Sequence, residues 1–253
     1  MARPNRRTDS CRDRVSQSIF VTQSNNLNEQ ENLFLRAAAS GNIEAVKHYV
    51  ENEFVNANCQ DYLGRGALEL SVLGENLRVI EYLLTRCNLF RMEDALLGAI
   101  NRDSVKICEM ILNHPSYRTN HILLGNMGRF YHEDTINSPR FAPETTPIHL
   151  ACHRNNYHII QLLLLRGATI EEPHDYFCAC ALCVSQRVYD IVRYSHARLN
   201  TFKALASPAY ISLSSEDPIA TAFELSHRLD HLTGIEKEYK VRNEPIRFQI
   251  PDS

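Results

Sequence analysis

The chain has 253 residues and a formal net charge of −3, with 44% hydrophobic and 23% charged residues. This composition is typical of a folded soluble protein of one or two domains, and it lacks the basic excess that nucleic-acid binding requires. The most apolar stretch, 159–165, is far shorter than the roughly eighteen residues of a membrane helix. We therefore expect no nucleic-acid partner, no membrane span in this chain and, without an apolar N-terminal core, no secretion signal.

Residues 1–29 are predicted to form a disordered basic and polar tail. The segment is rich in arginine, serine, asparagine and glutamine and has little hydrophobic periodicity. Such a tail can contact acidic lipid or nucleic acid, but a solvated tail is the simpler interpretation.

Residues 30–172 repeat a short apolar helix, a polar break and a second apolar helix, at a spacing near 33 residues. Asn42 and Asn76, for example, occupy equivalent positions 34 residues apart. This period is typical of ankyrin repeats, which must stack because one unit cannot bury its own apolar face. We therefore predict an all-α ankyrin-repeat solenoid of about four repeats.

The fourth repeat contains the run Thr146-Pro147-Ile148-His149-Leu150-Ala151, which follows the Thr-Pro-Leu-His-x-Ala pattern of these repeats. Pro147 suits the first position of a helix because no N–H is needed there. Thr146 and His149 can satisfy backbone groups at the turn. We therefore interpret His149 as structural and not as a catalytic partner of the nearby Cys152.

The spacing of the repeats is interrupted once. Equivalent helix residues Ile80, Cys108 and Ile160 are separated by 28 and then by 52 residues. The second interval predicts an insertion at about 116–140, which we interpret as a flexible loop, with a partner contact as the alternative.

Four residues near the middle of the chain carry the ligand types that zinc prefers. His174, Cys178, Cys180 and Cys183 lie within ten residues of one another, and they match the number that a closed tetrahedral site needs. One helical turn would bring His174 and Cys178 to the same side. Three buried apolar thiols and a local disulfide remain alternatives, although a Cys-x-Cys pair suits a disulfide poorly. Other soft metal ions also remain open.

Of the eight cysteines, the five outside this cluster are scattered, mostly within apolar helical patterns. Free thiols of this kind are typical of a reducing compartment, so we predict a cytoplasmic chain. The five are Cys11, Cys59, Cys87, Cys108 and Cys152.

Residues 173–240 are predicted to be a linker-helix region that begins with the cysteine cluster. Residues 184–200 have a helical pattern, which the segment 205–218 breaks. Asp217-Pro218 then predicts the start of another helix, with Asp217 as its N-cap. The apolar stripe of this helix is Ala222, Leu225, Leu229 and Leu232. Residues 241–253 are predicted to be a divergent disordered tail.

These motifs, in order, resemble the cytosolic N-terminal region of TRPC-type transient receptor potential cation channels. The resemblance covers about residues 30–240, and its later segments are more specific than ankyrin helices. The segments that carry it are 34–38 (FLRAA), 61–68 (DYLGRGAL), 111–115 (ILNHP), 173–183 (PHDYFCACALC), 205–210 (LASPAY), 214–218 (SSEDP), 224–226 (ELS) and 235–240 (IEKEYK).

The resemblance implies ankyrin repeats followed by linker helices on the cytosolic side of a tetrameric, calcium-permeable, nonselective cation channel. It also implies a structural zinc ion on His174, Cys178, Cys180 and Cys183. The implied partners are other channel subunits and scaffold proteins, and the implied location is the cytosolic face of the plasma membrane. Beyond Lys240 the chain departs from the family's pattern, so we expect a truncated product that does not conduct ions alone.

Two other functions are alternatives to this one. The first alternative is a soluble ankyrin-repeat adaptor with a structural zinc ion and no role in a channel. The second is an enzyme, which is disfavoured because a catalytic zinc keeps one position open, whereas four clustered ligands leave none for water. We therefore expect no catalytic residues and no organic cofactor.

Overall fold

The computed structural model describes residues 27–86, 92–115, 117, 145–189 and 191–235, and within these ranges the chain is helical. The single β-bridge described there joins Gln60 to Gly66. The all-α prediction is therefore confirmed. The helices α1 to α12 are, in chain order, Glu29–Ser40, Ile43–Glu51, Ala67–Leu73, Leu77–Arg86, Met92–Asn101, Val105–Asn113, Pro147–His153, Tyr157–Leu164, Ala181–Tyr189, Ile191–Leu205, Pro208–Ser214 and Pro218–Ile235.

The first eight helices form four antiparallel pairs that stack in one direction. The first helices of the pairs, α1, α3, α5 and α7, pack in that order, and so do the second helices, α2, α4, α6 and α8. Each pair covers the apolar face of the next, which is how a solenoid builds a core from small units. This is the stacked arrangement predicted from the repeat period.

The same type of turn joins the two helices of every pair. A residue with positive φ follows the first helix by one or two positions, and the second helix begins two residues after it, so that one residue between them is the N-cap position. Asn42 and Asn156 cap their helices by accepting hydrogen bonds from the N–H groups of Ala45 and Ile159. The positive-φ residues are Gly41, Glu75, Asp103 and Asn155, with φ of 78°, 54°, 55° and 53°.

Asn76, at the corresponding position of the second pair, holds neighbouring pairs together. Its side-chain amide donates to the carbonyl of Ala39 at 3.1 Å. The close approach requires a glycine at position 41, because a Cβ there would lie 2.3 Å from Asn76 Oδ1. The equivalence of Asn42 and Asn76 seen in the sequence therefore has a structural basis.

Helices α10 and α11 continue the solenoid beyond the fourth pair. Helix α10 packs on α7 and α11 packs on α8, in the positions that a fifth pair would take. Helix α12 packs on α11, and its stripe residues Leu225, Leu229 and Leu232 are buried, as predicted. Asp217 caps α12, since its Oδ1 accepts from the N–H groups of Ile219 and Ala220.

One prediction about this region was wrong in detail. The described residues of 184–200 are helical, as predicted, and they lie in α9 and α10, the second of which runs on to Leu205. The predicted break at 205–218 contains α11, which begins at Pro208 directly after Ser207. Proline at the first position of a helix is a start signal, and here it outweighed the serine-rich composition.

Three predicted segments lie wholly or almost wholly outside the described residues. They are the tail 1–29, of which 27–29 are described, the insertion at about 116–140, of which Tyr117 is described, and the tail 241–253. Among the helices that are described, none combines the length and the apolar character needed to cross a bilayer.

Candidate metal centre

The loop between α8 and α9 and the first turn of α9 together carry the four predicted ligands. Cys180 directly precedes α9, and Cys183 lies in the first turn of that helix, where its N–H donates to Cys180 Sγ at 3.5 Å. His174 and Cys178 are not on a helical turn, although their spacing would have allowed one. Asp175 instead folds the chain between them, since its carbonyl accepts from the N–H of Cys178 and its Oδ1 from that of Phe177.

The four side chains converge on one point. His174 Nδ1 lies 3.5, 3.4 and 3.5 Å from the sulfurs of Cys178, Cys180 and Cys183. All four ligand atoms lie within 4.8 Å of one another. A ring nitrogen has one N–H or one lone pair, so it cannot hydrogen-bond well to three sulfurs at once. Three sulfurs at nearly equal distances from one nitrogen are the arrangement of a shell around an ion, and the group could hold a metal.

The alternatives left open by the sequence fit this geometry less well. All three thiols are free, so the loop contains no local disulfide. Cys183 is buried, but Cys178 and Cys180 are only half-buried and His174 is exposed. A cluster of small hydrophobic residues would bury all three thiols, whereas this one opens toward solvent on the side of His174.

The electrostatics of the loop favour a thiolate at Cys180. Hydrogen bonds from the Cys183 backbone N–H, and then from the side chains of Cys183, Cys178 and His174, lower the pKa of Cys180 to about 6. Burial raises the pKa of Cys183, and a hydrogen bond with the Tyr194 hydroxyl acts in the opposite direction. The thiolate is the form that binds metals, so the lowered pKa of Cys180 favours metal binding at this residue.

Arg187 holds the loop from α9, one turn beyond Cys183. Its Nε donates to the carbonyl of Cys183 at 3.3 Å, and Nη1 donates to that of Tyr176 at 3.2 Å. Its Nη2 donates to the carbonyl of Cys178. One half-buried guanidinium therefore joins both sides of the ligand cluster.

Arg198 supports the loop from α10. Its side chain is 5% exposed, and Nη1 donates to the carbonyl of His174 at 2.5 Å. The guanidinium also lies over the rings of Tyr176 and Tyr194, at 5.9 and 5.5 Å from their centres. Two cationic groups thus stand beside three thiols, where they can offset the negative charge of thiolates.

Sequence reasoning missed both arginines. A signal was present in each helix, because Arg187 follows Cys183 by four residues and Arg198 follows Tyr194 by four. That spacing places each pair on one face of a helix. The sequence near each arginine, however, did not indicate that these helix faces point toward the ligand loop.

His149 and Cys152 are placed as the structural interpretation expects. His149 Nδ1 lies 2.6 Å from Thr146 Oγ1, and burial lowers the pKa of the imidazole to about 4. Cys152 is 2% exposed, and burial raises the pKa of its thiol to about 12. A thiol so protected is a poor nucleophile.

Three family models match the chain. Ankyrin-repeat models match residues 34–84 and 144–175, and the model for the transient receptor ion channel II domain matches residues 178–240. The last of these begins at Cys178, within the ligand cluster. The chain therefore contains ankyrin repeats followed by a transient receptor ion channel domain.

Curated relatives are similar over nearly the whole chain. Short transient receptor potential channel 3 of Homo sapiens is 43% identical over 241 residues, which cover 92% of this chain and 26% of the relative. Short transient receptor potential channel 4 of Mus musculus is 41% identical over 246 residues, or 94% of this chain and 24% of the relative. The chain thus spans about a quarter of the length of these relatives. None of the matched families or relatives is an enzyme, in agreement with the prediction.

Proposed function

Because this chain is homologous to the N-terminal region of the short transient receptor potential channels, we propose that it serves as the assembly and regulatory portion of a TRPC-like channel subunit. The channel would be calcium-permeable and nonselective among cations. The observation that carries the proposal is the order of the family matches, ankyrin repeats followed by the transient receptor ion channel II domain at 178–240. The similarity to the human relative extends over 92% of the chain and includes both.

The partners in this proposal are other channel subunits, as a homo- or heterotetramer, and scaffold proteins. Its location is the cytosolic face of the plasma membrane. The fold supports an assembly role because stacked repeats present an extended surface suited to binding other proteins. The packing of α10 and α11 on the fourth helix pair extends that surface into the domain at 178–240.

Co-purification tests the proposed assembly. The tagged chain is expressed with full-length human short transient receptor potential channel 3 and isolated in mild detergent. We expect the two to elute together, whereas an ankyrin-repeat protein without the 178–240 domain should not associate. Absence of association at micromolar concentrations would contradict the proposal.

We also propose that the cluster binds one structural zinc ion through His174, Cys178, Cys180 and Cys183. A tetrahedral site with Zn–S near 2.3 Å and Zn–N near 2.05 Å has nitrogen–sulfur edges of about 3.6 Å. The observed edges of 3.4 to 3.5 Å agree with this value. Four protein ligands also complete the shell, which supports a structural rather than a catalytic ion.

Metal content tests this second proposal. The purified chain is expected to carry one zinc ion, and Cys183→Ala is expected to lose it. Cys108→Ala is the matched control, because Cys108 is a buried thiol in α6, outside the cluster. Zinc absent from the wild-type chain, or retained equally by Cys183→Ala, would refute the assignment.

A further inference from the structure

Helix α12 carries two histidines about one turn apart on its outer side. The inner side of the helix is defined by its buried leucines, Leu225, Leu229 and Leu232. At about 100° per residue, His227 and His231 lie on the opposite side and roughly 40° from each other around the helix axis. Both are exposed. These two residues, named here the α12 pair, therefore leave the same face of the helix toward solvent.

The chain has one other pair of histidines with this spacing, and the fold already uses it. In α7, His149 Nδ1 lies 2.6 Å from Thr146 Oγ1, and His153 Nε2 lies 2.9 Å from the carbonyl oxygen of Asn200. Within the part of the chain that the structure describes, no hydrogen bond or ion pair joins either histidine of the α12 pair to another residue. Its ring nitrogens are therefore open to a ligand from solvent.

Two imidazoles at this spacing can share one metal ion. Residues four apart on a helix have Cβ atoms about 5–6 Å apart, which lets both rings reach an ion at the usual zinc–nitrogen distance of about 2.0–2.1 Å. A His-x3-His pair on one helix face supplies two of the zinc ligands in metalloproteases. Imidazole suits Zn²⁺, Cu²⁺ and Ni²⁺, whereas Ca²⁺ and Mg²⁺ prefer oxygen ligands. The α12 pair therefore favours a divalent transition-metal ion.

The charges beside the α12 pair also favour a cation. Glu224 lies about one turn before the first histidine, Asp230 directly precedes the second, and both carboxylates are exposed. Arg228 is the one arginine or lysine of the helix. Its Nη1 donates to Glu172 Oε2 at 2.8 Å, which offsets its charge. A cation on the α12 pair would thus be attracted by two carboxylates and repelled little by Arg228.

We propose that His227 and His231 form a second metal site, which takes one Zn²⁺ or similar divalent transition-metal ion. The site is separate from the four-ligand cluster. Only two of its ligands come from the protein, so water completes the shell. The ion consequently exchanges with solvent and is lost on dialysis, unlike an ion held by four side chains. The proposal does not depend on the channel assignment or on the cluster, because it rests on α12 alone.

The bound ion would stabilise the last turns of α12. The two imidazoles are placed to share an ion while this segment is helical, so binding favours the helix. Gly234 lies in the last turn and weakens the helix there. A Cβ at this position would meet no atom within 4 Å, so close packing does not require the glycine. The ion therefore offsets a weak position near the end of the helix.

Isothermal titration of Zn²⁺ into the full chain, dialysed and with the cluster loaded, tests the proposal. We expect one further equivalent to bind in the micromolar range and Ca²⁺ not to compete with it. The matched variant exchanges two neighbours, Ser226→His with His227→Ser. It keeps the composition and charge but places the histidines about 140° apart. We expect this variant, and His231→Gln, to lose roughly tenfold or more in affinity for the second ion. His158→Gln, which removes an isolated exposed histidine of α8, should change nothing.

Helical circular dichroism of each variant would show that the fold is intact. Absence of a second equivalent at roughly 100 µM free Zn²⁺ would overturn the proposal. So would a second ion that both the exchanged variant and His231→Gln bind as tightly as the wild type. A chain that keeps one zinc ion through dialysis and takes up no second one would overturn this site alone and leave the cluster assignment and the proposed function standing.

Discussion

The side chain of Arg187 donates hydrogen bonds to three backbone carbonyls around the ligand cluster, those of Tyr176, Cys178 and Cys183. Charge-assisted hydrogen bonds of this kind are stronger than neutral ones. They also fix the directions in which the cysteine side chains leave the backbone. The ligand geometry of this loop is thus maintained by a residue that does not itself contact the metal position.

We therefore predict that Arg187→Met lowers the affinity for zinc by about 10- to 100-fold, the usual cost of losing an outer-shell partner. Methionine retains the length and apolar stem of the side chain but removes all three donors. Competition with a chromophoric chelator measures the affinity. Arg102→Met is the control, because the ion pair of Arg102 with Glu75 is exposed and lies in the ankyrin array, away from the cluster. Equal affinities in the two variants would contradict the role given to Arg187.

His149 gives the stability of the chain a specific pH dependence. Burial, and to a smaller extent the nearby His153, lowers the pKa of this imidazole from 6.5 to about 4. The unfolded chain takes up the proton as the pH falls through 6.5, whereas the folded chain takes it up only near pH 4. The stability that His149 contributes is therefore complete above the unfolded-state pKa of 6.5. It is lost as the pH falls from 6.5 toward the folded-state pKa of about 4.

Between pH 7 and pH 5 we expect His149 to remove about 2 kcal/mol from the free energy of unfolding. Urea titrations at both pH values measure this change in the wild type and in His149→Gln. The variant cannot be protonated, and its amide can still bond to Thr146. Acidic groups and the metal cluster contribute equally to both proteins, so an identical pH dependence in the variant would refute the assignment.

Among the elements, the junction between the fourth helix pair and α11 depends on Asn155. This residue has φ of 53° at the break between α7 and α8. Its Oδ1 accepts hydrogen bonds from the Ser207 hydroxyl at 2.9 Å and from the Ala209 N–H at 3.0 Å. Asn155 therefore caps a helix more than fifty residues away and fastens α11, which lies within residues 178–240, to the ankyrin array.

Two substitutions separate the backbone and side-chain roles of Asn155. Asn155→Gly keeps the left-handed conformation and loses the cap, which should cost about 1 kcal/mol of unfolding free energy. Asn155→Ala loses the cap and adds backbone strain, for about 1 kcal/mol more. Denaturant unfolding measures both. If the glycine variant were as stable as the wild type, the contact with α11 would not be contributing to stability.

In the whole molecule, one hydrophobic core extends from Phe34 in α1 to Leu232 in α12. The cluster of His174, Cys178, Cys180 and Cys183, which could hold a metal, lies at the edge of this core, with only Cys183 of its four residues buried. Helix α9 contributes little to the core through its own side chains, since Cys183 is its one buried residue. Its position is therefore held mainly by the cluster and by Arg187.

We predict that removal of the metal releases α9 while the ankyrin array stays folded. Hydrogen exchange followed by mass spectrometry, with and without chelator, measures this. Protection should fall over Ala181–Tyr189 and remain over Leu77–Arg86. A uniform loss along the chain would instead mean that the metal stabilises the whole solenoid, and no change at all would mean that α9 does not depend on it.

The sequence by itself determined the features that arise within short stretches of chain. The helix caps at Asn42 and Asn156 and the motif around Pro147 are local, because a capping side chain and the N–H group that donates to it lie within one turn. The repeat period can likewise be read from the sequence. The convergence of four ligands was predictable for the same reason, since a ten-residue loop leaves them few ways to be far apart. The spacing of His174 and Cys178 allowed a helical turn between them, but the Asp175 side chain offers the backbone a competing turn.

Only the tertiary structure decided which helix faces meet across long separations. The contacts of Asn155 with α11, of Arg198 with the carbonyl of His174, and of α10 with α7 join residues far apart in the sequence. The tertiary structure also decided that Leu182, Val188 and Tyr189 of α9 are exposed. Their hydrophobic character alone would have placed them in the core. The physical reason is that Cys183 and Arg187 are tied to the cluster, and this fixes the rotation of α9 against its own hydrophobic preference.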